Sequence, residues 1–141
     1  MYYDKWYKVG GLLWFNVDPR SSTPVYQQLV DEIKAAIALG IMAPGDRMPT
    51  VRDMATELAL NPNTVAKAYQ KLEQEGIIVT MRSRGTFVAQ RSSADFRLAR
   101  KKLNEQIEKV LIEAYHLGLN KGEIEQLFAE SLYKWKKRGG K

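Results

Sequence analysis

Residues 49–65 read PTVRDMATELALNPNTV, and this stretch decides the fold. Thr50 is a favourable helix cap, and Asp53 three residues later gives a pattern close to a capping box. Asn61 followed by Pro62 is a second helix start, because asparagine caps well and proline suits the first helical position, where no donor is needed. The stretch therefore predicts a short helix, a turn of about two residues and the beginning of another helix.

A helix is also predicted on the amino-terminal side of this stretch. The hydroxyl of Thr23 can cap it while Pro24 takes the first helical position, and apolar residues recur at helical spacing until Gly40. On the other side, the helix that begins after Asn61 keeps one apolar face until Gly76 ends it. The chain is thus predicted to contain three consecutive helices, the third of about three and a half turns.

Two short apolar, β-branched segments follow the third helix, at residues 77–81 and 86–89. Between them lies Arg82-Ser83-Arg84-Gly85, a turn-forming tetrapeptide, so the two segments predict a hairpin with a basic tip. Three helices followed by such a hairpin is the winged helix-turn-helix arrangement, in which the third helix can enter the major groove of DNA. The predicted fold class is α+β and mostly helical.

The first turn of the third helix carries the residues best suited to reading bases. Asn61, Asn63 and Thr64 lie there, and asparagine can pair bidentately with adenine. Lys67, one turn beyond Asn63, can reach a phosphate or a guanine. Three arginines are candidates for flanking phosphates or the minor groove: Arg52, Arg82 and Arg84. The alternative is that the Asn-Pro pair only caps the helix and that the arginines are solvated surface.

Residues 92–141 predict two amphipathic helices joined by a short link. Ser92 or Ser93 can cap the first helix, and Asn120 with Glu123 forms a capping box for the second. Apolar stripes on both helices would stay exposed in a monomer, so we expect the same hairpin of a second chain to cover them; the alternative is packing against their own winged domain. The expected dimerisation residues are Leu103, Ile107, Val110, Leu111, Ala114, Ile124, Leu127, Phe128 and Leu132.

The composition excludes several classes of function. The chain of 141 residues has no Cys and one His, which removes disulfides, thiolate nucleophiles and the usual zinc or imidazole sites. No Ser/His/Asp triad, P-loop or dinucleotide fingerprint is present, so we expect no enzyme, no metal and no cofactor. The apolar stretch at residues 9–15 is too short to span a bilayer and no cleavage site follows it, so we expect a cytoplasmic protein without a membrane partner.

The formal net charge is +6, with 22 Lys and Arg against 16 Asp and Glu. A positive surplus indicates an anionic partner, most often nucleic acid. Residues 24–90 hold equal numbers of basic and acidic residues, so the surplus lies near the start of the first carboxyl-terminal helix and at the end of the chain. The surface that we expect to contact DNA bases is therefore indicated by the order and spacing of its residues, and not by an excess of positive charge.

The order of these motifs resembles the GntR family of bacterial transcription regulators over residues 24–90. The resemblance is carried by Pro24 and Tyr26, Gly40, Pro44-Gly45-Asp46, Met48-Pro49-Thr50-Val51-Arg52-Asp53, Met54-Ala55, Leu58, Asn63-Thr64-Val65, Ala68-Tyr69, Leu72, Glu75-Gly76 and Arg84-Gly85-Thr86-Phe87-Val88. It implies DNA contacts at Arg52 with its neighbour Thr50, at the start of the third helix, and at the wing tip that contains Gly85.

Two positions depart from the pattern of many family members. Those members have an arginine that reads a guanine where Pro62 stands, and another basic residue where Ala66 stands, so their operator rules do not transfer. Residues 61–65 are similar instead to the short YtrA-like subfamily, whose members often control operons encoding ABC-type transporters. The 50 residues after residue 91 are also too few for the effector-binding or aminotransferase-like domains of longer relatives.

These observations predict three parts: an aromatic-rich arm at residues 1–20, a winged helix-turn-helix domain at 21–91 and a two-helix dimerisation domain at 92–141. We expect the protein to be a sequence-specific transcriptional regulator that acts as a repressor. We expect it to bind a palindromic operator in double-stranded DNA as a homodimer and to control a transporter operon. The alternative is a small-molecule or drug-sensing adaptor, in which the arm and the dimer helices form an aromatic-lined site for planar cations. Two helices are too few to enclose a conventional effector pocket.

Overall fold

The computed structural model describes residues 15–90 and 96–139. The chain divides into two compact units, and the division falls between Gln90 and Arg91. Most of the expected aromatic arm, residues 1–14, lies outside the described residues, as do Ser92 and Ser93 with their expected cap.

The first unit contains three helices and a hairpin. They are α1 Val25–Ala38, α2 Val51–Leu58, α3 Pro62–Gln74, β1 Ile78–Met81 and β2 Gly85–Val88. The expected cap by the Thr23 hydroxyl is wrong: Pro24, with an extended ψ of 146°, occupies the cap position, and no side chain caps the helix. The Thr23 carbonyl instead accepts a hydrogen bond of 2.8 Å from Nε2 of Gln28.

The other two helix starts are confirmed by their caps. Oγ1 of Thr50 accepts a 3.1 Å hydrogen bond from the backbone N–H of Asp53, and Oδ1 of Asn61 accepts one of 2.8 Å from the backbone N–H of Asn63. After α2 the chain turns through Ala59, whose φ of 53° lies in the left-handed region. The turn between α2 and α3 is thus residues 59–61, which brings the two helices into contact.

The hairpin begins one residue earlier on its second strand than the sequence predicts. Strands β1 and β2 are antiparallel, with Ile78 opposite Val88 and Met81 opposite Gly85. Gly85 therefore belongs to β2 and not to the turn, because its backbone pairs with Met81 while Ser83, at a φ of 67°, makes the left-handed bend. We refer to β1, β2 and this turn as the wing.

A third segment of chain pairs with the outer side of β2. Arg47 forms an antiparallel bridge with Phe87, and the backbone N–H of Met48 donates a 2.7 Å hydrogen bond to the Thr86 carbonyl. The segment that leads into α2 is therefore attached to the wing by backbone hydrogen bonds.

The core of the first unit lies between α1, α2, α3 and the wing. Its largest fully buried side chains are Leu29, Val30, Ile33, Met42, Met48, Pro49, Met54, Val65 and Leu72. Phe15, which the sequence placed in the expected arm, is only 7% exposed and belongs to this core. Burial of these apolar side chains is the main stabilising contribution to the unit.

The second unit contains α4 Phe96–His116 and α5 Lys121–Lys137. The predicted capping box between them is confirmed: Oδ1 of Asn120 accepts from the Glu123 N–H at 2.9 Å, and Oε1 of Glu123 accepts from the Asn120 N–H at 3.0 Å. Of the side chains described in this unit, only that of Ala114, 5% exposed, is buried.

Candidate nucleic-acid interface

The outer face of α3 is polar. Its opposite face buries Val65, Ala68, Tyr69 and Leu72 in the core of the first unit. The exposed residues Asn63, Ala66, Lys67 and Gln70 follow the spacing i, i+3, i+4 and i+7, which places them together on the solvent side of the helix. We call these four residues the outer face of α3. An exposed polar helix face can enter the major groove of DNA, which admits an α-helix.

The two asparagines at the start of α3 have different roles in the structure. Oδ1 of Asn61 is engaged in the helix cap, so this side chain stabilises the start of the helix. The side chain of Asn63 is exposed on the outer face, and Thr64 beside it is half-buried. Asn63 is therefore the asparagine with an amide available for hydrogen bonds to a base edge.

The ammonium groups of α3 lie against α1. Nζ of Lys67 is 4.1 Å from the centroid of the Tyr26 ring, a cation–π distance. Nζ of Lys71 donates a hydrogen bond to Oε1 of Gln27 and is 5.8 Å from the same Tyr26 ring. Both positive charges of the helix are thus held at the side of α3 that faces α1.

The start of α2 is joined to α3 by a buried hydrogen bond. The hydroxyl of Tyr69, a residue that is 6% exposed, donates to the Pro49 carbonyl at 2.6 Å. Thr50 and Arg52 follow directly and are exposed, and the hydroxyl of Thr50 is already engaged with Asp53. The Tyr69 bond thus sets the position of the Thr50–Arg52 segment relative to the outer face of α3.

The wing presents two arginines on a constrained backbone. Arg82 and Arg84 are exposed in the turn, and Gly85 next to them is half-buried with a φ of 115°. A Cβ atom added to Gly85 would lie 3.0 Å from a terminal nitrogen of Arg47, whose guanidinium is also 5.9 Å from the centroid of the Phe87 ring. The backbone conformation favours glycine here, since a φ of 115° is one that other residues rarely adopt.

All nine residues expected to contact DNA therefore lie in the first unit, and seven of them are exposed, with Thr64 and Gly85 half-buried. Gln70 on the outer face of α3 was not predicted from the sequence. Its spacing of seven residues from Asn63 could have identified it, because that spacing places two residues on the same face of a helix. The contact between Tyr26 and Lys67 was also not predicted, because the two residues are 41 positions apart in the chain and no local signal marks the contact.

The residues expected to mediate dimerisation lie on α4 and α5. Seven of them are exposed in the single chain: Leu103, Ile107, Val110, Leu111, Leu127, Phe128 and Leu132. Ala114 is already buried within its own chain and Ile124 is half-buried, so these two contribute little free surface.

The described part of the chain shows neither a metal-binding cluster nor a membrane-spanning helix. Within residues 15–90 and 96–139, no three or more His, Cys, Asp or Glu side chains are grouped so that they can hold a metal ion. None of the helices in the same residues is long and apolar enough to cross a membrane.

Comparison with known proteins identifies relatives over most of the chain. The family described as "Bacterial regulatory proteins, gntR family" matches residues 25–88. The chain is 45% identical over 114 residues to the HTH-type transcriptional repressor YtrA of Bacillus subtilis (strain 168), a match that covers 79% of this chain and 84% of that protein.

Solved structures give the same result. A transcriptional antiterminator from Listeria monocytogenes EGD-e is similar with a TM-score of 0.75 and 32% identity, covering 89% of this chain and 93% of that one. YtrA from Sulfolobus acidocaldarius, a GntR-family transcription factor, is similar with a TM-score of 0.60 and 35% identity, covering 70% and 98% of the two chains. These relatives are regulators of transcription and not enzymes. The chain belongs to the GntR family of bacterial regulatory proteins, and it is a DNA-binding transcription regulator with a winged helix-turn-helix domain.

Proposed function

We propose that the protein is a repressor that binds a palindromic operator as a homodimer and controls a transporter operon. The observation that carries this proposal is the outer face of α3, where Asn63 is exposed, and the presence in the same compact unit of the exposed arginines Arg52, Arg82 and Arg84. A base-reading helix flanked by phosphate-binding cations is the arrangement that sequence-specific DNA binding needs.

The charged side chains and the amide of this surface are assigned different contacts with DNA. The amide of Asn63 offers the donor and acceptor pair that matches the major-groove edge of adenine. Arg52, Arg82 and Arg84 lie outside α3, in α2 and the wing, so we assign them to phosphates or the minor groove. Lys67, held beside Tyr26, is assigned to a phosphate.

Dimerisation is proposed because the second unit has almost no core of its own. Apart from Val79 and Met81, all the exposed large hydrophobic side chains of the described residues belong to α4, α5 or the link between them. Apolar surface of this extent on a soluble chain marks an interaction site. A helix of 21 residues is about 30 Å long, which offers a second copy a long apolar face to cover.

Sedimentation velocity tests the dimer with two variants that each lower the net charge by one. Ile107→Glu places a carboxylate on the apolar face of α4, whereas Lys109→Gln changes an exposed residue on the other side of the same helix. We expect the wild type and Lys109→Gln to sediment as dimers and Ile107→Glu as a monomer. A monomeric wild type at tens of micromolar, or a dimeric Ile107→Glu variant, contradicts the proposal.

Footprinting on the DNA upstream of the protein's own operon tests the regulatory role. We expect protection of an inverted repeat whose half-sites are about one helical turn or more apart, since a two-fold dimer presents two equivalent α3 helices. Transcription of that operon in vitro should fall when the protein is added. Protection without sequence preference contradicts specific binding, and increased transcription contradicts repression.

A further inference from the structure

Gln70 lies on the outer face of α3, two helical turns beyond Asn63. Together with Ala66 and Lys67, these residues have the spacing i, i+3, i+4 and i+7, which is also the spacing of the four groove-reading positions of a homeodomain recognition helix. Both Gln70 and Asn63 are exposed. A helix that places Asn63 against a base edge in the major groove therefore directs Gln70 into the same groove.

The amide of Gln70 has no partner among the residues that the structure describes. By contrast, Nε2 of Gln27 donates to Asp31 at 2.9 Å, and Oδ1 of Asn61 accepts from the Asn63 N–H. These two amides are committed to holding the helices, whereas that of Gln70 is available for an external hydrogen-bond partner. Glutamine, like asparagine, pairs bidentately with adenine, donating to N7 and accepting from N6.

The charged groups nearest to Gln70 on α3 are each engaged by a neighbouring element of the same unit. Lys67 lies against Tyr26, and Lys71 is bonded to Gln27. Oε1 of Glu73 accepts a 3.1 Å hydrogen bond from the Thr80 N–H of the wing. Apart from Lys67, the outer face thus presents two amides and the methyl group of Ala66, a combination that suits adenine and the methyl group of thymine.

We propose that Gln70 is a specificity-determining residue that reads one adenine in each operator half-site through two hydrogen bonds from its amide. This rests on the proposed function, because it requires α3 to enter the major groove. Neither Pro62 nor Ala66 is a cation, and Lys67 is assigned to a phosphate. The amides of Asn63 and Gln70 therefore carry the base discrimination of α3.

The test uses the duplex that the wild-type protein selects from a library of randomised duplexes, together with every single base-pair substitution of that duplex. We expect the wild type to prefer adenine at a pair read by Gln70 by roughly five- to a hundred-fold. Gln70→Ala should abolish this preference at that pair in each half-site and leave the other pairs and the salt dependence of binding unchanged. Gln70→Arg should move the preference at the same pair to guanine.

Gln74→Ala is the matched control, since Gln74 is an exposed glutamine one turn further along the same helix, beyond Glu73. It should keep the wild-type preference at every pair. Circular dichroism and the affinity for an unrelated duplex show whether each variant is folded. We expect all three variants to fold, because each introduces alanine or arginine, which favour helices.

Three results overturn the proposal. The first is a Gln70→Ala profile identical to that of the wild type. The second is an equal loss for every duplex with a smaller salt slope, which indicates a phosphate contact. The third is a loss of preference confined to base pairs at which the wild type does not prefer adenine. If the wild type selects no sequence at all, the proposed function itself fails, and this outcome is distinct from the other three.

Discussion

The hydrogen bond from the Tyr69 hydroxyl to the Pro49 carbonyl joins the two parts of the proposed DNA-binding surface. Tyr69→Phe keeps the buried ring and removes one oxygen atom, which leaves the Pro49 carbonyl without this donor where Pro49 is fully buried. Loss of a buried hydrogen bond with one group left in place costs about 1–2 kcal/mol of the free energy of unfolding. For a unit of this size, that corresponds to a melting temperature lower by roughly 5–15 °C.

Urea and thermal unfolding followed by circular dichroism measure this loss at one fixed protein concentration, because the proposed dimerisation would also shift stability. Tyr133→Phe is the control, since Tyr133 is 60% exposed and its hydroxyl has no hydrogen bond to another described residue. We also expect Tyr69→Phe to weaken binding to all duplexes alike, because Thr50 and Arg52 follow Pro49 directly. Equal unfolding midpoints for the two variants would refute the reasoning.

Three further predictions concern the turn, the wing and the contacts to DNA. Ala59→Gly should raise the free energy of unfolding by up to about 1 kcal/mol, because Ala59 has a φ of 53° that glycine adopts without strain. Its control, Ala66→Gly within α3, should lower the free energy of unfolding by about 1 kcal/mol. Urea titrations in which both variants shift the free energy of unfolding in the same direction contradict this prediction. Gly85→Ala, at a φ of 115°, should lower it by about 2 kcal/mol, and an unchanged urea midpoint contradicts the strain. Asn63→Ala should relax preference at particular base pairs, whereas Arg84→Ala should weaken all duplexes and reduce the salt slope by about one; binding titrations that give equal effects on every sequence contradict these roles.

The helices and their order were predictable because their ends carry local signals. The Thr50 and Asn61 side chains accept hydrogen bonds from backbone groups two or three residues away, so the cap and the residue that it binds lie in one short stretch of sequence. The Asn120–Glu123 capping box is local in the same way. Thr23 misled the prediction because Pro24 suits either the cap or the first helical position, and only the observed backbone separates the two.

The missed features depend on contacts between distant parts of the chain. Tyr26 and Lys67 meet because α1 packs against α3, and Phe15 reaches the core although it stands next to an aromatic-rich stretch. The close approach of Arg47 to Gly85 likewise follows from the bridge between Arg47 and Phe87. Gln70 is different: its helical spacing from Asn63 is visible in the sequence, but only the fold shows that it is exposed and that its amide has no partner among residues 15–90 and 96–139.

The most direct test of the account is the stoichiometry and symmetry of the complex between the full chain and the duplex that it selects from a randomised library. Sedimentation equilibrium of the complex gives the number of chains per duplex, and the base-pair substitution profile gives the symmetry. We expect two chains on an inverted repeat, with matching preferences in the two half-sites. One chain on an asymmetric site, or selection of no sequence, would contradict it.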